Sequence, residues 1–286
     1  EARRMSDAFV NVAQRVSPSV VQIDVTQRGE QQDPMVRILG GGGDTPVARG
    51  TASGVVFTAD GAPLFTATPF GAAFKGGIEV AVGDVTGPGD DEIVVAAGPG
   101  GGPHVRVLNG DGTPIGNGFF AYGEGFTGGA HVAVGRVSGA GKSQIVTGAG
   151  RGGAPHVRVF NADGVPVGPG FYAYGQSFSG GVYVAAADNQ VITGAGPGAA
   201  PHVRSFDLNG GAIASFYAYP ETFGGGVRVA VADLGGASGR EIITGAGPGG
   251  APHVRVFTNA GAATPTSFYA YGESLRGGVF VAGRPR

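Results

Sequence analysis

Histidine is the residue in this chain best suited to acid–base or metal chemistry near neutral pH. Five are present. Four of them, His104, His156, His202 and His253, sit inside one recurring word, Pro-His-Val-Arg, where they could converge on a metal. A residue repeated in register is separated from its copies by a whole structural unit, however, so each is expected to be locked locally as scaffold. His131 falls outside the word and is the histidine expected to meet a ligand. With Glu79 and Arg228 it makes a short set of ionisable groups on β-type runs, a thin set for catalysis.

Two motifs imitate nucleotide chemistry. Gly139-Ala140-Gly141-Lys142-Ser143 ends like a phosphate-binding loop, but Arg136 stands where that motif needs its first glycine. Gly148-Ala149-Gly150-Arg151-Gly152-Gly153 and residues 245–250 match Gly-x-Gly-x-x-Gly. Both kinds of loop must open a helix, whose first amides hold the phosphate. Here each leads into another extended run, so all three are read as turns.

Composition narrows the partners. The net charge is −2 and the only lysines are Lys75 and Lys142, so no basic stripe exists and no nucleic-acid partner is expected. The absence of cysteine removes disulfides and thiolate metal sites. No apolar run approaches the roughly 18 residues that span a membrane, and no membrane span is expected. The sequence starts at Glu1 without methionine or an apolar signal core, as a processed or truncated product would.

These candidate groups must be positioned by a repeat. Pro-His-Val-Arg occurs at 103–106, 155–158, 201–204 and 252–255, followed each time by Phe-(Phe/Tyr)-Ala-Tyr at 119–122, 171–174, 216–219 and 268–271. Doubled glycines at 76–77, 128–129, 180–181, 225–226 and 277–278 mark the register, spaced 52, 52, 45 and 52 residues apart. Between them lie runs of four to six β-branched or aromatic residues bounded by Gly, Asn, Asp or Pro, the pattern of short strands and tight turns. No run has a 3.6-residue apolar period, so crossover helices are absent and the strands must be antiparallel. The third repeat is shortened at 187–190, where its first hairpin is cut to a tight turn.

Four antiparallel strands at this spacing describe one blade of a β-propeller. The expected fold is all-β, with four-stranded antiparallel blades at about 78–122, 130–174, 182–219 and 227–271. A fifth blade would be closed by strands from 54–68 and 279–283, hiding the edges of an open array. Residues 53–286 then form the propeller and residues 1–52 an extension. Seven of the eight tyrosines lie in the Phe-(Phe/Tyr)-Ala-Tyr word, as expected if each fourth strand lays its rings on the neighbouring blade. Strand alternation puts the second-to-third and fourth-to-first loops at one end, where recognition is expected to rest on Glu124, Arg151, Gln176, Glu221, Glu273 and Arg276, with His131 nearby.

Residues 245–257 (GAGPGGAPHVRVF) and 83–95 (GDVTGPGDDEIVV) resemble the FG-GAP/VCBS-type propeller repeats, over about 53–282. The resemblance implies an extracellular binding or adhesion scaffold. It also implies a calcium loop of the form Asp-x-Asp-x-Asp-Gly-x-x-Asp in the first hairpin. Here the loop is eroded to Asp84 with Glu92 and Asp233 with Glu241, while Arg136 and Gln144 replace both acids in the second repeat. Calcium wants six or more oxygens, so calcium is at most a weak cofactor and a plain hairpin turn is the expected role.

The N-terminal stretch resembles something else. Residues 9–23 (FVNVAQRVSPSVVQI) and 50–61 (GTASGVVFTADG) are similar to the beginning of HtrA/DegP-type serine proteases, over about 5–61. The match stops at Gly61, before the family's catalytic histidine, aspartate and serine, so no triad is carried over. Residues 5–16 are expected to form a short amphipathic helix and 20–25 a strand. The expectation for the whole is a secreted, cell-surface or periplasmic monomer, a non-catalytic scaffold binding protein or glycan, and not an enzyme. The alternative is a remnant or fusion of a serine protease lacking its triad.

Overall fold

A computed structural model describes residues 54–57, 63–87, 89, 91–139, 141–187, 189–236 and 239–283. The expected N-terminal helix and first strand lie outside the described residues. The chain divides into two units, Glu1–Gly77 and Ile78–Arg286. In the first, β1 (Gly54–Phe57) and β2 (Pro63–Ala67) form an antiparallel hairpin with Gly54 opposite Ala67.

The second unit is built from four sheets, each of four antiparallel strands in sequential order. The first holds β3 (Ile78–Gly83), β4 (Glu92–Ala97), β5 (His104–Leu108) and β6 (Pro114–Phe120). The second holds β7 (Ala130–Gly135), β8 (Gln144–Ala149), β9 (His156–Phe160) and β10 (Phe171–Tyr172). The third holds β11 (Val182–Ala187), β12 (Gln190–Ala195), β13 (His202–Phe206) and β14 (Ala212–Tyr217). The fourth holds β15 (Val227–Gly236), β16 (Gly239–Ala246), β17 (His253–Phe257) and β18 (Ala263–Tyr269). No helix occurs among the described residues, so none there is long and apolar enough to cross a membrane.

Burial is graded across each sheet. Second strands such as β4 and β8 are buried throughout, third strands alternate at their start, and fourth strands are mostly exposed. Three apolar cores lie between successive sheets rather than within one. Val94, Val105 and Ala121 of the first sheet meet Val132, Ile145 and Phe160 of the second. The same layering joins the second sheet to the third and the third to the fourth. First strands of successive sheets are neighbours, β3 to β7, β7 to β11 and β11 to β15.

Glycine sets how closely the sheets approach. A Cβ on Gly148, in β8, would lie 2.2 Å from the carbonyl oxygen of Val182 in the next first strand. Gly129, the second of a doubled pair, has φ 74° and its Cβ would sit 2.5 Å from the carbonyl carbon of Gly98. Only glycine fits a left-handed backbone packed that tightly. The doubled glycines are therefore the points where the chain enters each new first strand against the sheet before it.

The two repeated words clasp one sheet to the next. The Tyr122 hydroxyl donates to the carbonyl of His156 at 2.8 Å and shares a 3.1 Å contact with Thr147 Oγ1. In return Arg158 donates from Nη1 to the carbonyl of Ala121 at 2.7 Å. The same pattern joins Tyr174 to His202 with Arg204 to Ala173, and Tyr219 to His253 with Arg255 to Ala218. Burial pushes the Tyr219 hydroxyl up to about 12.

Two expectations need adjustment and a third holds. The fourth strands end at the second residue of Phe-(Phe/Tyr)-Ala-Tyr, and in the first three sheets the Ala carbonyl and final Tyr turn inward to make that clasp. The sheets accordingly end at Phe120, Tyr172, Tyr217 and Tyr269, two residues short of the expected limits. Val279–Gly283 forms no strand in a sheet, although Val279 donates to Ala246 at 2.9 Å and its oxygen lies where a Gly245 Cβ would clash, as a next first strand would. The shortened third-repeat hairpin is confirmed: Ala187 pairs with Gln190 across a turn where Asn189 takes φ 59°.

Candidate functional site

The second residue after each doubled glycine occupies the same position on successive first strands. These residues are Glu79, His131, Tyr183 and Arg228, followed by Phe280 of the terminal segment. They touch in that order. His131 Nδ1 is 3.2 Å from Glu79 Oε1, within ion-pair reach, though not aligned as a hydrogen bond. The His131 and Tyr183 rings are 4.4 Å apart between centroids, tilted by 48°. Arg228 lies 5.8 Å from the Tyr183 ring centroid and 3.7 Å over the ring of Phe280.

Each neighbour shapes the next one's chemistry. Burial raises the Tyr183 phenol above its ordinary value, and the Arg228 cation partly opposes that shift. Arg228 is itself buried, at 8 % exposure, and donates to the carbonyls of Ala246 (3.3 Å) and Val279 (3.2 Å). Nη1 is thus committed to the backbone while the guanidinium covers Phe280, which compensates part of the cost of a buried cation whose Nε has no hydrogen-bond partner.

A cavity of about 130 Å³ opens at one end of this row, lined by Glu79, His131, Tyr183 and Arg151 with Pro99 and Pro197. Its walls come from the starts of β3, β7 and β11 and from the second-to-third and fourth-to-first loops. Those loops do share one end, as strand alternation implied: Gly152 N donates to Ser179 O at 2.8 Å, and Gly198 N to Gly224 O at 2.9 Å.

Of the residues expected to carry recognition, the fold brings His131 and Arg151 into this cavity. Glu124, Gln176, Glu221, Glu273 and Arg276 are all exposed on the same loops but do not line it. Arg276 instead donates from Nη1 to the carbonyl of Glu273 at 3.1 Å. Tyr183 and Phe280 escaped the sequence reasoning. Their signal was the offset of two from the second glycine of each pair, which the register already contained.

The acid pairs are used inside their hairpins. Glu92 Oε2 accepts from the Val85 and Thr86 amides at 2.8 and 3.2 Å, and Oε1 accepts from Thr86 Oγ1 at 2.6 Å. Asp84 Oδ1 accepts from Gly87 N at 2.8 Å, and Glu241 Oε2 from Leu234 N at 3.0 Å. Gln144 makes the corresponding bonds in the second sheet, to Val137 N at 2.9 Å and Ser138 N at 3.1 Å. An uncharged amide does the same work, so the position asks for an acceptor rather than a charge. Among the described residues no group of three or more His, Asp or Glu could hold a metal, and the partner of Glu241 in the expected set, Asp233, joins no such group.

The decoys resolve as turns. Lys142 of the Gly-Lys-Ser stretch donates from Nζ to the carbonyl of Thr86 at 2.5 Å, and β7 and β8 flank it without a helix. The four register histidines are locally held. His202 Nε2 meets Ser215 Oγ and His253 Nε2 meets Ser267 Oγ, both at 2.8 Å, and each register histidine stacks on a fourth-strand ring.

No protein-family model matches the chain, and no curated protein matches it. Among solved structures it is similar to rhamnogalacturonan lyase YesW at 14% identity and TM-score 0.41, over 77% of this chain and 45% of that one. It is also similar to the V. cholerae biofilm matrix protein Bap1 at 17% identity and TM-score 0.39, over 80% of this chain and 34% of that one. The chain thus spans less than half the length of either. At such values neither likeness assigns a ligand or a reaction. The expectation that the chain is not an enzyme is nevertheless corrected: a structure it is similar to, the lyase, is an enzyme, and the exclusion of catalysis is withdrawn.

Proposed function

We propose that this chain is a secreted or cell-surface β-propeller module that binds a protein or glycan at the loop end bearing the cavity. One observation carries this. The scaffold positions repeat almost unchanged, whereas the row Glu79, His131, Tyr183, Arg228 and Phe280 differs at every copy while staying in contact. Variation on a repeated frame is where individual recognition is built.

The finer architecture belongs to the same proposal. The four sheets are its blades, the repeat type is that of FG-GAP/VCBS proteins, and the segments 54–68 and 279–283 would supply a fifth blade. Limited proteolysis of the full chain tests the last point: loss of residues 1 to about 50 should leave a resistant core, and collapse of the core would overturn this assignment of the ends.

Binding is tested by retaining labelled protein on printed arrays of glycans and extracellular proteins. Retention is expected, with loss in a folded variant carrying His131→Ala and Arg151→Glu. Retention unchanged in that variant moves the site elsewhere, and no retention of the wild type on either array ends the proposal.

A further inference from the structure

We infer that the cavity at Glu79, His131 and Tyr183 receives a single neutral sugar ring, presented by its hydroxyls, in preference to an acidic sugar. This rests on the binding function proposed above and deepens it.

Size sets the first limit. At about 130 Å³ the cavity is well below the roughly 300 Å³ at which pockets for drug-sized ligands begin. It has room for one small ring entering from the open end, not for an extended chain lying within it.

Charge sets the second. The lining holds one fixed carboxylate, Glu79, and one fixed cation, Arg151. The other cation of the row, Arg228, is turned to Ala246 O, Val279 O and the Phe280 ring and is absent from the lining. No surplus of positive charge is left for an anion, and an anionic ligand would have to approach Glu79.

Hydrogen-bonding capacity sets the third. His131 Nδ1 lies 3.2 Å from Glu79 Oε1 without the alignment of a hydrogen bond, and a neutral imidazole carries one donor and one acceptor nitrogen. The second Glu79 oxygen is an acceptor too, whereas Arg151 offers only donors. A ligand must therefore donate at one side and accept at the other, and a hydroxyl does both. The Tyr183 ring, held between His131 at 4.4 Å and Arg228 at 5.8 Å, adds apolar surface to the lining beside them.

The test titrates the full chain, followed by NMR, with methyl hexosides, with glucuronate and galacturonate, and with a small alkylamine. Neutral hexosides are expected to bind at least ten-fold more tightly than the uronates. Glu79→Gln should narrow that gap, and Tyr183→Ala should abolish hexoside binding, with denaturation curves establishing that both variants fold. Equal or tighter uronate binding, or preference for the amine, overturns the inference. Array retention on proteins alone, or on glycans with no hexoside response, also overturns it while leaving the binding function standing. Absence of any array retention removes the binding function itself.

Discussion

The Tyr122 hydroxyl donates to the carbonyl oxygen of His156, 34 residues later and on the next sheet, at 2.8 Å. The same bond recurs from Tyr174 to His202 and from Tyr219 to His253. The two most faithfully repeated words of the chain are thus the two halves of one inter-sheet clasp. Their multiplicity follows from mechanics, since every sheet has to be fastened to its neighbour in the same way.

Tyr174→Phe removes a buried hydroxyl and takes its donor from the His202 carbonyl, while Thr193 Oγ1 keeps its bond to the Arg204 carbonyl. The expected loss is about 1–2 kcal/mol by chemical denaturation. Tyr172→Phe should cost less than about 0.5 kcal/mol, because that ring is 43% exposed and Phe120 already fills the equivalent position.

Gly148→Ala should be far worse than its size suggests. Its Cβ would fall 2.2 Å from Val182 O, so the third sheet must move away. A loss of about 3 kcal/mol is expected. Gly175→Ala, with nothing within 4 Å of its Cβ and no positive φ, should be neutral or slightly stabilising in the same measurement.

Glu92→Gln should fold with nearly wild-type stability, since Gln144 already performs this task in the second sheet. Glu92→Ala leaves the Val85 and Thr86 amides without their acceptor and should cost about 1–3 kcal/mol. If the hairpin acids served calcium instead, chelation would lower the wild-type Tm and Glu92→Gln would remove that response. No such shift is expected.

Stability should fall on acidification below about pH 6.5. Burial first, and then the arginine two residues on, hold His156, His202 and His253 below the ordinary value of 6.5. Burial also lowers His104, partly opposed by a backbone bond at Asn117. A group with a depressed histidine pKa binds more protons unfolded, so stability is full above the unfolded value and drains as pH falls towards the folded one. Tm should be flat above about pH 7 and decline towards pH 5, with a shallower decline in His202→Phe, which keeps the ring stack. A Tm that rises on acidification would contradict this.

Local chemistry alone determined the strands of this protein. β-branched runs, turn residues and doubled glycines marked four four-stranded units, and even the cut hairpin at Asn189, because each of those features acts within a few residues of itself. Repetition likewise identified the histidines of Pro-His-Val-Arg as scaffold. Alternation told which end the loops share, as the Gly152–Ser179 bond bears out. What it left open was which side chains meet across sheets. Glu79, His131, Tyr183, Arg228 and Phe280 are 52, 52, 45 and 52 residues apart. They touch only because glycines such as Gly148 let the first strands close up. The same spacing admits Arg151 to the cavity and leaves Glu124 and Gln176 outside it, since a side chain's reach is set by inter-sheet distance and not by its place in a loop.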